Sequence, residues 1–404
     1  MLKQQRINTL RSILLKEKQV SVNDMAKQLK VTDRTIRRDL KQLEQLGIAE
    51  LYFGGAKLVN VNKADLFKQV GMKTIMTTLS EKYQKENMPT DSAKQDHIGL
   101  YILGSFNIDI VSEVANFPKE GQTIHSLSTN FYAGGKGSNQ ATAAANVCDA
   151  VHLGVKIGKD EFGTKARNYF SSTNIHSFTV FEDESKPTGN AQIFVSRNSG
   201  ENFIAIDLGA NLTITEQELD QEYALIQESK VFLTQLENNF SATKAAIECA
   251  SATQSLVIVN PAPYVEDVKS IMHLIDIITP NETEAQDLSG IEVTDLASAK
   301  KAAEAIHTMG TNIVLMTMGS NGALLFDGEH HRHFPPFKAV VTDTSGAGDS
   351  FNGSLAASLA NGKPLEYAVK YASAFASLAV ERKGASNMPE ASLVESRMQS
   401  QEIM

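Results

Sequence analysis

The sequence of 404 residues predicts an α/β protein preceded by a winged helix-turn-helix domain. We expect a mostly parallel sheet, helices on both of its faces and a small β lid. Charge divides the chain, because residues 1–58 carry 12 Lys and Arg against 6 Asp and Glu, whereas the remainder carries 26 against 41. Pro89 is the first of ten prolines. From His97 onward, short apolar runs alternate with helical stretches, which predicts the parallel sheet.

Composition limits the class of protein further. Hydrophobic residues make up 42% of the chain, enough for a large packed core. The two cysteines, Cys148 and Cys249, lie far apart, which favours a reducing compartment without disulfides. "MLKQQRINTL" lacks the apolar stretch of a signal peptide, and no run approaches about 18 apolar residues. We therefore expect a cytoplasmic protein without a membrane span.

The helix-turn-helix is predicted from periodicity and caps. Apolar residues recur at helical spacing between Ile7 and Leu14. Ser21 and Thr32 can each cap a following helix, and Gly47 is a stop signal for the second one. "LYFGGAKLV" then has the pattern of a small β wing. The order of helix, turn, helix and wing is that of a reader of the DNA major groove.

The second helix of the pair, "DRTIRRDLKQLEQLG", is expected to face DNA. Ile36, Leu40 and Leu43 form its apolar stripe, which leaves basic residues facing outward. An isolated basic helix is more often a solvated surface, but caps, turns and a wing together favour DNA binding. The residues predicted to contact DNA are Arg34, Thr35, Arg37 and Arg38.

This stretch resembles the DNA-binding domain of the DeoR family of sugar-responsive repressors. The resemblance is carried by "VSVNDMAKQLKVTDRTIRRDLKQLEQLG" and by "GGA" at Gly54–Ala56. It implies DNA binding through residues 1–58. Residues 59–96 are polar and poorly patterned, loosest around "NMPTDSAKQD", and are predicted to form a linker to a domain spanning residues 97–395.

Six apolar runs predict strands of the main sheet: "HIGLYILG", "AVHLGVKIG", "KVFLTQLE", "LVIVNPAP", "DIITPNE" and "NIVLMTMG". Two further segments break the alternation, "DIVSEVANFPKEGQTIHSLSTNFYAGG" and "GNAQIFVSRNSGENFIAI", and we expect antiparallel strands that form a lid. In "VVTDTSGAGDSFNGSLAASLA" a strand is expected to end near Thr342 and a helix to start just after. The small residues between them would let backbone N–H groups approach an anion at the helix N-terminus.

Polar residues collect at the ends of the predicted strands, where ligands bind in open α/β sheets. Any one of them could be a cap or an ordinary turn residue, but several at consecutive strand ends are hard to explain structurally. They are Asn107, Asp109, the turn Gly134–Gly137, Asn139, Glu237, Asn260, Asn281, Glu284, Thr317, Gly319 and Asp349.

This second part resembles the PfkB (ribokinase-like) carbohydrate kinases, and ribokinases in particular. The motifs are "GSFNID", "GGKGSNQA", "NPAP", "PNETEA" and "DTSGAGDSFNG", and the match covers residues 97 to about 395. The resemblance implies a ribokinase-like fold, transfer of phosphate from Mg-ATP to the 5-hydroxyl of ribose, and homodimers formed through the lid.

Roles follow from the resemblance residue by residue. Asp349 would be the general base, and the amides of Gly346, Ala347 and Gly348 would hold the transferred phosphate. The residues implied to bind the sugar are Asn107, Asp109, Gly135, Lys136, Asn139 and Glu237.

The resemblance also implies cofactor sites. Asn281 and Glu284 would support magnesium through water, near the phosphates. Thr317, Gly319 and Gly322 would border the nucleotide. The potassium site implied by the family is made of Asp343 and of residues Ser345, Val380, Lys383 and Ala385.

Three functions remain open at this point. The first is an active ribokinase that also binds DNA. The second is a transcriptional regulator whose kinase fold senses a sugar, and the intact Asp349, anion site and Asn281-x-x-Glu284 element favour retained catalysis over it. The third is a kinase whose N-terminal domain mediates assembly only, which the outward-facing arginines disfavour. A related acceptor such as deoxyribose is a further alternative.

Overall fold

In the computed structural model the chain folds as two compact units, and each is described by itself. The structure describes Leu10, Ile13 and residues 19–45, 49–58 and 98–402. The predicted linker over residues 59–96 lies outside the described residues, as does most of the predicted first helix. Among the described residues, no helix is both long enough and apolar enough to cross a membrane.

The N-terminal unit has the predicted winged helix-turn-helix fold. Ser21 caps the first helix of the pair by accepting the Asp24 N–H at 3.5 Å, and Thr32 accepts the Thr35 N–H at 3.3 Å. Its three-stranded antiparallel sheet has the order β1-β3-β2. The elements are β1 (Gln19–Ser21), α1 (Val22–Gln28), α2 (Asp33–Gln45), β2 (Ala49–Tyr52) and β3 (Gly55–Leu58).

Helix α2 buries the predicted apolar stripe. Ile36, Leu40 and Leu43 are fully buried in the core of this unit, together with Leu10 from the first helical segment. The three arginines predicted to face outward, Arg34, Arg37 and Arg38, are exposed. The 3.6-residue period of the helix therefore separates a packed face from a basic one.

The second unit is built on a nine-stranded sheet within residues 98–402. Its order is β16-β15-β14-β13-β12-β11-β4-β7-β8, and it is parallel except at β14-β15 and β15-β16. The strands are β4 (Leu100–Leu103), β7 (Val151–Gly158), β8 (Ser177–Asp183), β11 (Val231–Thr234), β12 (Leu256–Val259), β13 (Ile277–Ile278), β14 (Ile313–Thr317), β15 (Ala323–Phe326) and β16 (His331–Phe334).

Helices connect the parallel strands, and they are amphipathic or small-residue rich. Strands β4, β7 and β11 are buried along their whole length, as the continuous apolar runs predict. The helices are α3 (Lys136–Ala145), α4 (Glu161–Ser172), α5 (Glu216–Glu228), α6 (Phe240–Ser251), α7 (Glu282–Ser289), α8 (Leu296–Thr308), α9 (Ala347–Ala360), α10 (Leu365–Ala379) and α11 (Ala391–Glu402). Shorter 3₁₀ turns cover Gly209–Thr213, Glu266–Leu274 and Gly319–Asn321.

The predicted lid is a separate four-stranded sheet. It contains β5 (Asn107–Val114), β6 (Ser128–Gly134), β9 (Gly189–Ser196) and β10 (Asn202–Asp207), in the order β10-β9-β5-β6. The pairs β5-β6 and β9-β10 are antiparallel, as predicted, whereas β5 and β9 are joined in parallel. Strand β5 begins after the loop that follows β4, and β6 ends at the turn that precedes α3.

One sequence-based prediction is wrong. No strand ends near Thr342, because residues 335–346 have an irregular backbone. Pro335 and Pro336 follow β16 directly and cannot donate to a strand ladder. The N–H groups of Thr342 and Asp343 instead donate to the Val380 carbonyl, at 2.8 and 3.1 Å. The helix predicted to follow is present as α9.

Candidate active site

A polar cavity lies at the carboxyl ends of β12, β13 and β14, beside the N-terminus of α9. This is the edge of the sheet at which the strand-end residues predicted a ligand site. The cavity volume is about 170 Å³. It is lined by Lys136, Asn260, Ala262, Thr279, Asn281, Glu284, Thr317, Thr344, Gly346, Ala347, Gly348, Asp349 and Asn352.

The turn into α9 requires a glycine at Gly346. Its φ angle is +73°, and a Cβ atom there would lie 2.6 Å from the Ala385 carbonyl oxygen. The Ala347 N–H donates to the Thr344 carbonyl at 3.2 Å and so closes the turn. Of the three amides predicted to hold an anion, the one at Ala347 therefore already has a partner within the protein.

Gly348 presents bare backbone to the cavity. A Cβ atom at this position would meet no heavy atom within 4 Å. Gly348 is the second residue of α9, and helix geometry leaves the N–H groups of the first turn without intrahelical acceptors. A ligand can therefore approach an N–H donor at the positive end of the helix here.

Asp349 is buried in the first turn of α9, and both of its carboxylate oxygens are held. The Asn139 side-chain amide donates to Oδ2 at 3.0 Å, and that of Gln140 donates to Oδ1 at 3.0 Å. Only 7% of Asp349 is exposed. The predicted base and the predicted sugar ligand Asn139 are thus direct neighbours, although 210 positions separate them in sequence.

Several charged groups lie close enough to perturb each other. Burial raises the pKa of Asp109 to about 7, and the charges of Glu237 and Asp349 add to the effect. Burial also raises the pKa of Glu237, although Lys136 opposes it. For Lys136, burial acts to lower the pKa, but Asp349, Glu237 and Glu284 outweigh it and the pKa is raised. The site therefore groups the carboxyl groups of Asp109, Glu237, Glu284 and Asp349 around the single ammonium group of Lys136.

The glycine turn that precedes α3 packs against the loop after β4. Gly135 has a φ angle of +88°, and a Cβ atom there would lie 2.7 Å from the Asn107 nitrogen. The Lys136 N–H donates to Glu237 Oε2 at 3.1 Å, and the Ser105 hydroxyl donates to the same oxygen. These contacts bring four of the predicted sugar ligands, Asn107, Gly135, Lys136 and Glu237, onto one wall.

Asn107 is oriented by a residue that the sequence did not single out. Asn211, fully buried in the 3₁₀ turn after β10, donates from Nδ2 to Asn107 Oδ1 at 2.9 Å. Asn211 also bonds both the N–H and the carbonyl of Phe106, each at 3.0 Å. This bond fixes which side of the Asn107 amide carries the oxygen, so that Nδ2 is the atom that can donate to a ligand.

The predicted magnesium-supporting pair forms a capping box at the start of α7. Asn281 Oδ1 accepts the Glu284 N–H at 2.8 Å, and Glu284 Oε2 accepts the Asn281 N–H at 2.9 Å. Thr317 lines the same cavity at the end of β14, whereas Gly319 and Gly322 lie in the turn after it, outside the cavity lining. Burial raises the pKa of Glu284.

The predicted potassium loop is ordered around Asp343. Its two carboxylate oxygens accept the N–H groups of Ser345 and Gly384, each at 2.9 Å. Burial acts to raise the pKa of Asp343, but these backbone hydrogen bonds outweigh it and lower the pKa. The Val380 carbonyl accepts the two N–H bonds from Thr342 and Asp343, which use both of its lone pairs.

Comparison with known proteins settles the family of the second unit. A family model described as "pfkB family carbohydrate kinase" matches residues 99–391, more than half of the chain.

The chain belongs to this family of carbohydrate kinases.

Among its curated relatives, a ribokinase of Haemophilus influenzae is 37% identical over 286 residues, which cover 71% of this chain and 93% of the relative. A deoxyribokinase of Salmonella typhimurium is 32% identical and covers 70% of this chain and 93% of its own length. A ribokinase of Arabidopsis thaliana, solved in complex with ribose and ATP, superposes with a TM-score of 0.69 at 30% identity. That superposition covers 74% of this chain and 98% of the Arabidopsis chain.

The N-terminal unit of this pfkB family kinase has its own match. A family model described as "DeoR-like helix-turn-helix domain" covers residues 6–62. Both predicted resemblances are therefore confirmed, and the chain joins a carbohydrate kinase domain to a domain of a kind found in DNA-binding regulators.

The kinase unit also buries polar side chains that connect to the cavity: the predicted Asn260 lines it together with Thr279 and Asn352, whereas Gln140 and Gln235 are buried outside the lining. Gln140 is part of the quoted motif "GGKGSNQA", and Gln235 lies two residues before Glu237, so each was close to a recognised signal. Sequence pattern does not report their burial or their partners, because these contacts cross between separate strands and helices.

Proposed function

We propose that this chain transfers the γ-phosphoryl group of ATP to O5 of D-ribose, giving ribose 5-phosphate and ADP. The observation that carries the proposal is the position of Asp349, a buried carboxylate in the first turn of α9, next to the bare backbone of Gly348. The ribokinases among the relatives of the chain support ribose and ATP as the substrates.

Asp349 acts as the general base in this proposal. It accepts the proton of the sugar hydroxyl while the hydroxyl oxygen bonds to the γ-phosphorus and the bond to the bridging oxygen of ADP breaks. The first-turn N–H groups of α9, of which Gly348 carries one, hold the transferred phosphate oxygens. The Gly346 turn brings this N-terminus to the cavity, and the Ala347 amide stabilises that turn.

The sugar binds against the wall that precedes α3. Asp109 and Glu237 accept hydrogen bonds from sugar hydroxyls, and Asn107 donates through its Nδ2 atom. The other proposed sugar ligands are Gly135, Lys136 and Asn139. A neutral polyol fits this site, because its hydroxyl groups donate hydrogen bonds to the carboxylates. An uncharged sugar also adds no further charge to the buried site.

The nucleotide lies along Asn281, Thr317, Gly319, Gly322 and Gly348, with magnesium near Glu284. The capping box occupies one carboxylate oxygen of Glu284, and this residue also lines the cavity, so its oxygen chemistry fits a hard cation or a water of its shell. Magnesium, when bound, would neutralise phosphate charge during the transfer. The role of Asn281 is to hold Glu284 in place.

Potassium is proposed to bind beside the turn into α9. Asp343 and the carbonyls of Ser345, Lys383 and Ala385 offer only oxygen ligands, as an alkali cation requires. We leave the Val380 carbonyl out of the ligand set, because it is committed to Thr342 and Asp343. Since Ala385 also packs against Gly346, a cation here would stabilise the turn that carries the phosphate-binding amides.

DNA binding is proposed as a second function, favoured by the basic face of α2. Arg34, Arg37 and Arg38 are exposed on that face, and Thr35 is half-buried between them. The domains would be residues 1–58 for DNA, 59–96 as linker and 97–395 for the kinase. A regulator that senses ribose through the kinase fold is the alternative, and it predicts that ribose changes the affinity for operator DNA.

A homodimer through the lid is proposed from the strand register. Asp109 pairs with Tyr132 and with Ala191, and Ala191 pairs with Ile206, so these residues share the face of the lid that carries a sugar ligand. Tyr132 and Ile206 are about half exposed, at 47% and 54%. Exposed apolar side chains on one face suit contact with a second copy of the chain.

The experiment that tests the proposed reaction is an ADP-release assay of the purified chain with ribose, deoxyribose, fructose and adenosine. We expect the highest kcat/KM for ribose, and ribose 5-phosphate as the product by mass spectrometry. A higher kcat/KM for deoxyribose would transfer the assignment to that sugar. Absence of turnover with all four acceptors would contradict the proposed reaction and favour the sugar-sensing regulator. A measurement of DNA affinity with and without ribose would then test that alternative.

A further inference from the structure

Gln140 is a fully buried residue of α3 whose side-chain amide bonds three other side chains. Its Nε2 atom lies 3.0 Å from Asp349 Oδ1 and 3.1 Å from Asn260 Oδ1. Its Oε1 atom accepts a hydrogen bond from Gln235 Nε2 at 2.7 Å. Two donors and one acceptor are thus matched to three partners from different elements.

The orientation of this amide is determined by its neighbours. A carboxylate can only accept, so the nitrogen of Gln140 must face Asp349. Gln235, which directly follows β11, presents its own nitrogen to Gln140 Oε1 and would oppose a flip of the Gln140 amide. Gln235 Oε1 has no hydrogen-bond partner in the described part of the chain. An unpaired buried oxygen costs free energy. Gln235 keeps this orientation because its nitrogen then donates to Gln140.

The result is a carboxylate that cannot rotate freely. Asn139 holds Oδ2 of Asp349 and Gln140 holds Oδ1, so two consecutive residues of α3 define the plane of the carboxylate. Each oxygen still has a lone pair for the hydroxyl of a substrate. A base that is oriented before the substrate arrives need not be ordered during the reaction.

The second hydrogen of Gln140 connects the base to the turn of α9. Asn260 accepts it and donates to the Thr279 carbonyl at 3.1 Å. The Thr279 hydroxyl donates to Asn352, which in turn donates to the Gly348 carbonyl at 2.9 Å. Gln140 therefore lies where the contacts of the carboxylate and those of the phosphate-binding turn meet.

We propose that Gln140 is a positioning residue that fixes the carboxylate of Asp349 for proton abstraction, with Gln235 fixing the amide of Gln140 in turn. The proposal rests on the role of Asp349 as general base given above. Gln140 is separated from the cavity by the residues it bonds, so its loss should affect kcat and leave the KM values for ribose and ATP almost unchanged.

The test uses the full chain and two substitutions at this position. Gln140→Met keeps the length of the side chain but donates no hydrogen bond, and Gln140→Glu replaces the donor by a carboxyl. We expect Gln140→Met to lower kcat about 10- to 100-fold, in line with the loss of a hydrogen bond to a charged group, with both KM values within about threefold of the wild type. Gln221→Glu, on the exposed surface of α5, is the matched control.

The pH profile separates positioning from a merely structural role. In Gln140→Glu the introduced carboxyl can donate to Asp349 only while it is protonated, so its kcat relative to the wild type should rise as the pH falls. Gln140→Met should give no such recovery. Gln235→Met leaves Gln140 in place but frees its amide to flip, and we expect a loss of about 3- to 10-fold in kcat. If the Gln140 variants do not fold, this variant tests the positioning role.

Asp349→Asn is measured in parallel. If it is inactive while the folded Gln140 and Gln235 variants keep kcat within twofold of the wild type, the positioning role is overturned and the base assignment stands. A rise in KM alone would also overturn it, since it would place Gln140 in substrate binding. If Asp349→Asn keeps most of its turnover, the base assignment itself is wrong and the positioning role falls with it.

Discussion

Asn139 donates a hydrogen bond to Asp349, with 3.0 Å between Nδ2 and Oδ2. The same bond places a proposed sugar ligand directly against the proposed base. Asn139 Oδ1 is buried and has no hydrogen-bond partner among the described residues. A sugar hydroxyl bound there would satisfy this oxygen and would lie within reach of Asp349, which explains how one side chain can serve both groups.

Asp349→Asn should nearly abolish sugar phosphorylation. Removal of a general base typically costs about 100- to 10,000-fold in rate, and the substitution preserves the size of the side chain. Ribose and ATP binding, measured by calorimetry, should change little. Asp287→Asn, on the exposed side of α7, is the control. Turnover within tenfold of the wild type would contradict the assignment.

Substitution of the two glycines of the α9 turn should have different effects. Gly348→Ala should fold with an unchanged or slightly higher Tm, because its methyl group enters open space and helix propensity improves, but phosphate transfer should fall at least tenfold. Gly346→Ala should lose about 1–3 kcal/mol of stability, since φ is +73° and Ala385 lies in contact. Thermal melts and kinetics separate the two, and full activity of Gly348→Ala would argue against a phosphate at this backbone.

The pH dependence of sugar use should reflect Asp109. Burial raises the pKa of this carboxyl to about 7, so it is mostly protonated below that pH and ionised above it. Only the ionised form can accept a hydrogen bond at both oxygens, and kcat/KM for ribose should therefore rise with pH until slightly above 7. In Asp109→Asn, activity is expected to be lower and this rise to be missing. If kcat/KM of Asp109→Asn rises with pH in the same way as that of the wild type, the rise is caused by another group.

Exchange of sodium for potassium at constant ionic strength should increase activity. The reason is that a cation held by Asp343 and the neighbouring carbonyls would stabilise the Gly346 turn. Asp343→Ala should lower activity and remove the difference between the two salts, as measured by ADP release in each. Equal wild-type rates in sodium and potassium would show that the Asp343 loop works without a specific cation.

Neutralising Arg37 and Arg38 together should weaken DNA binding and flatten its salt dependence. Each lost phosphate contact should reduce the slope of log K against log salt by about 1. Fluorescence anisotropy with a fragment from upstream of the gene is the measurement. Lys300→Gln with Lys301→Gln, on α8 of the kinase unit, is the control for net charge. An unchanged slope would remove these arginines from the interface.

Addition of ribose or ribose 5-phosphate to the same anisotropy assay tests communication between the two units. A coupling of about 1–3 kcal/mol would change DNA affinity roughly 5- to 150-fold. Identical affinity under all conditions would indicate a kinase tethered to DNA without a sensing role.

The sequence by itself determined the two-unit organisation and the class of each unit, and it predicted most of the residues that are proposed to form the site. Local signals predicted elements that the structure contains. These signals are the caps at Ser21 and Thr32, the apolar stripe of α2 and the apolar runs of the parallel strands. Glycine turns and strand-end carboxylates marked the right edge of the sheet, because parallel strands bring their carboxyl ends together regardless of the distance between them in sequence.

Only the tertiary structure decided which groups meet. Gln140 and Asp349 are 209 positions apart, and no local pattern relates them. The irregular backbone before Asp343 depends on the Val380 carbonyl, which belongs to the end of α10, and the orientation of Asn107 depends on Asn211 in a turn beyond the lid. Periodicity and motifs indicate what a segment can form with itself. Buried polar groups take most of their partners from packing between segments, because a donor or acceptor that is desolvated without a partner costs free energy.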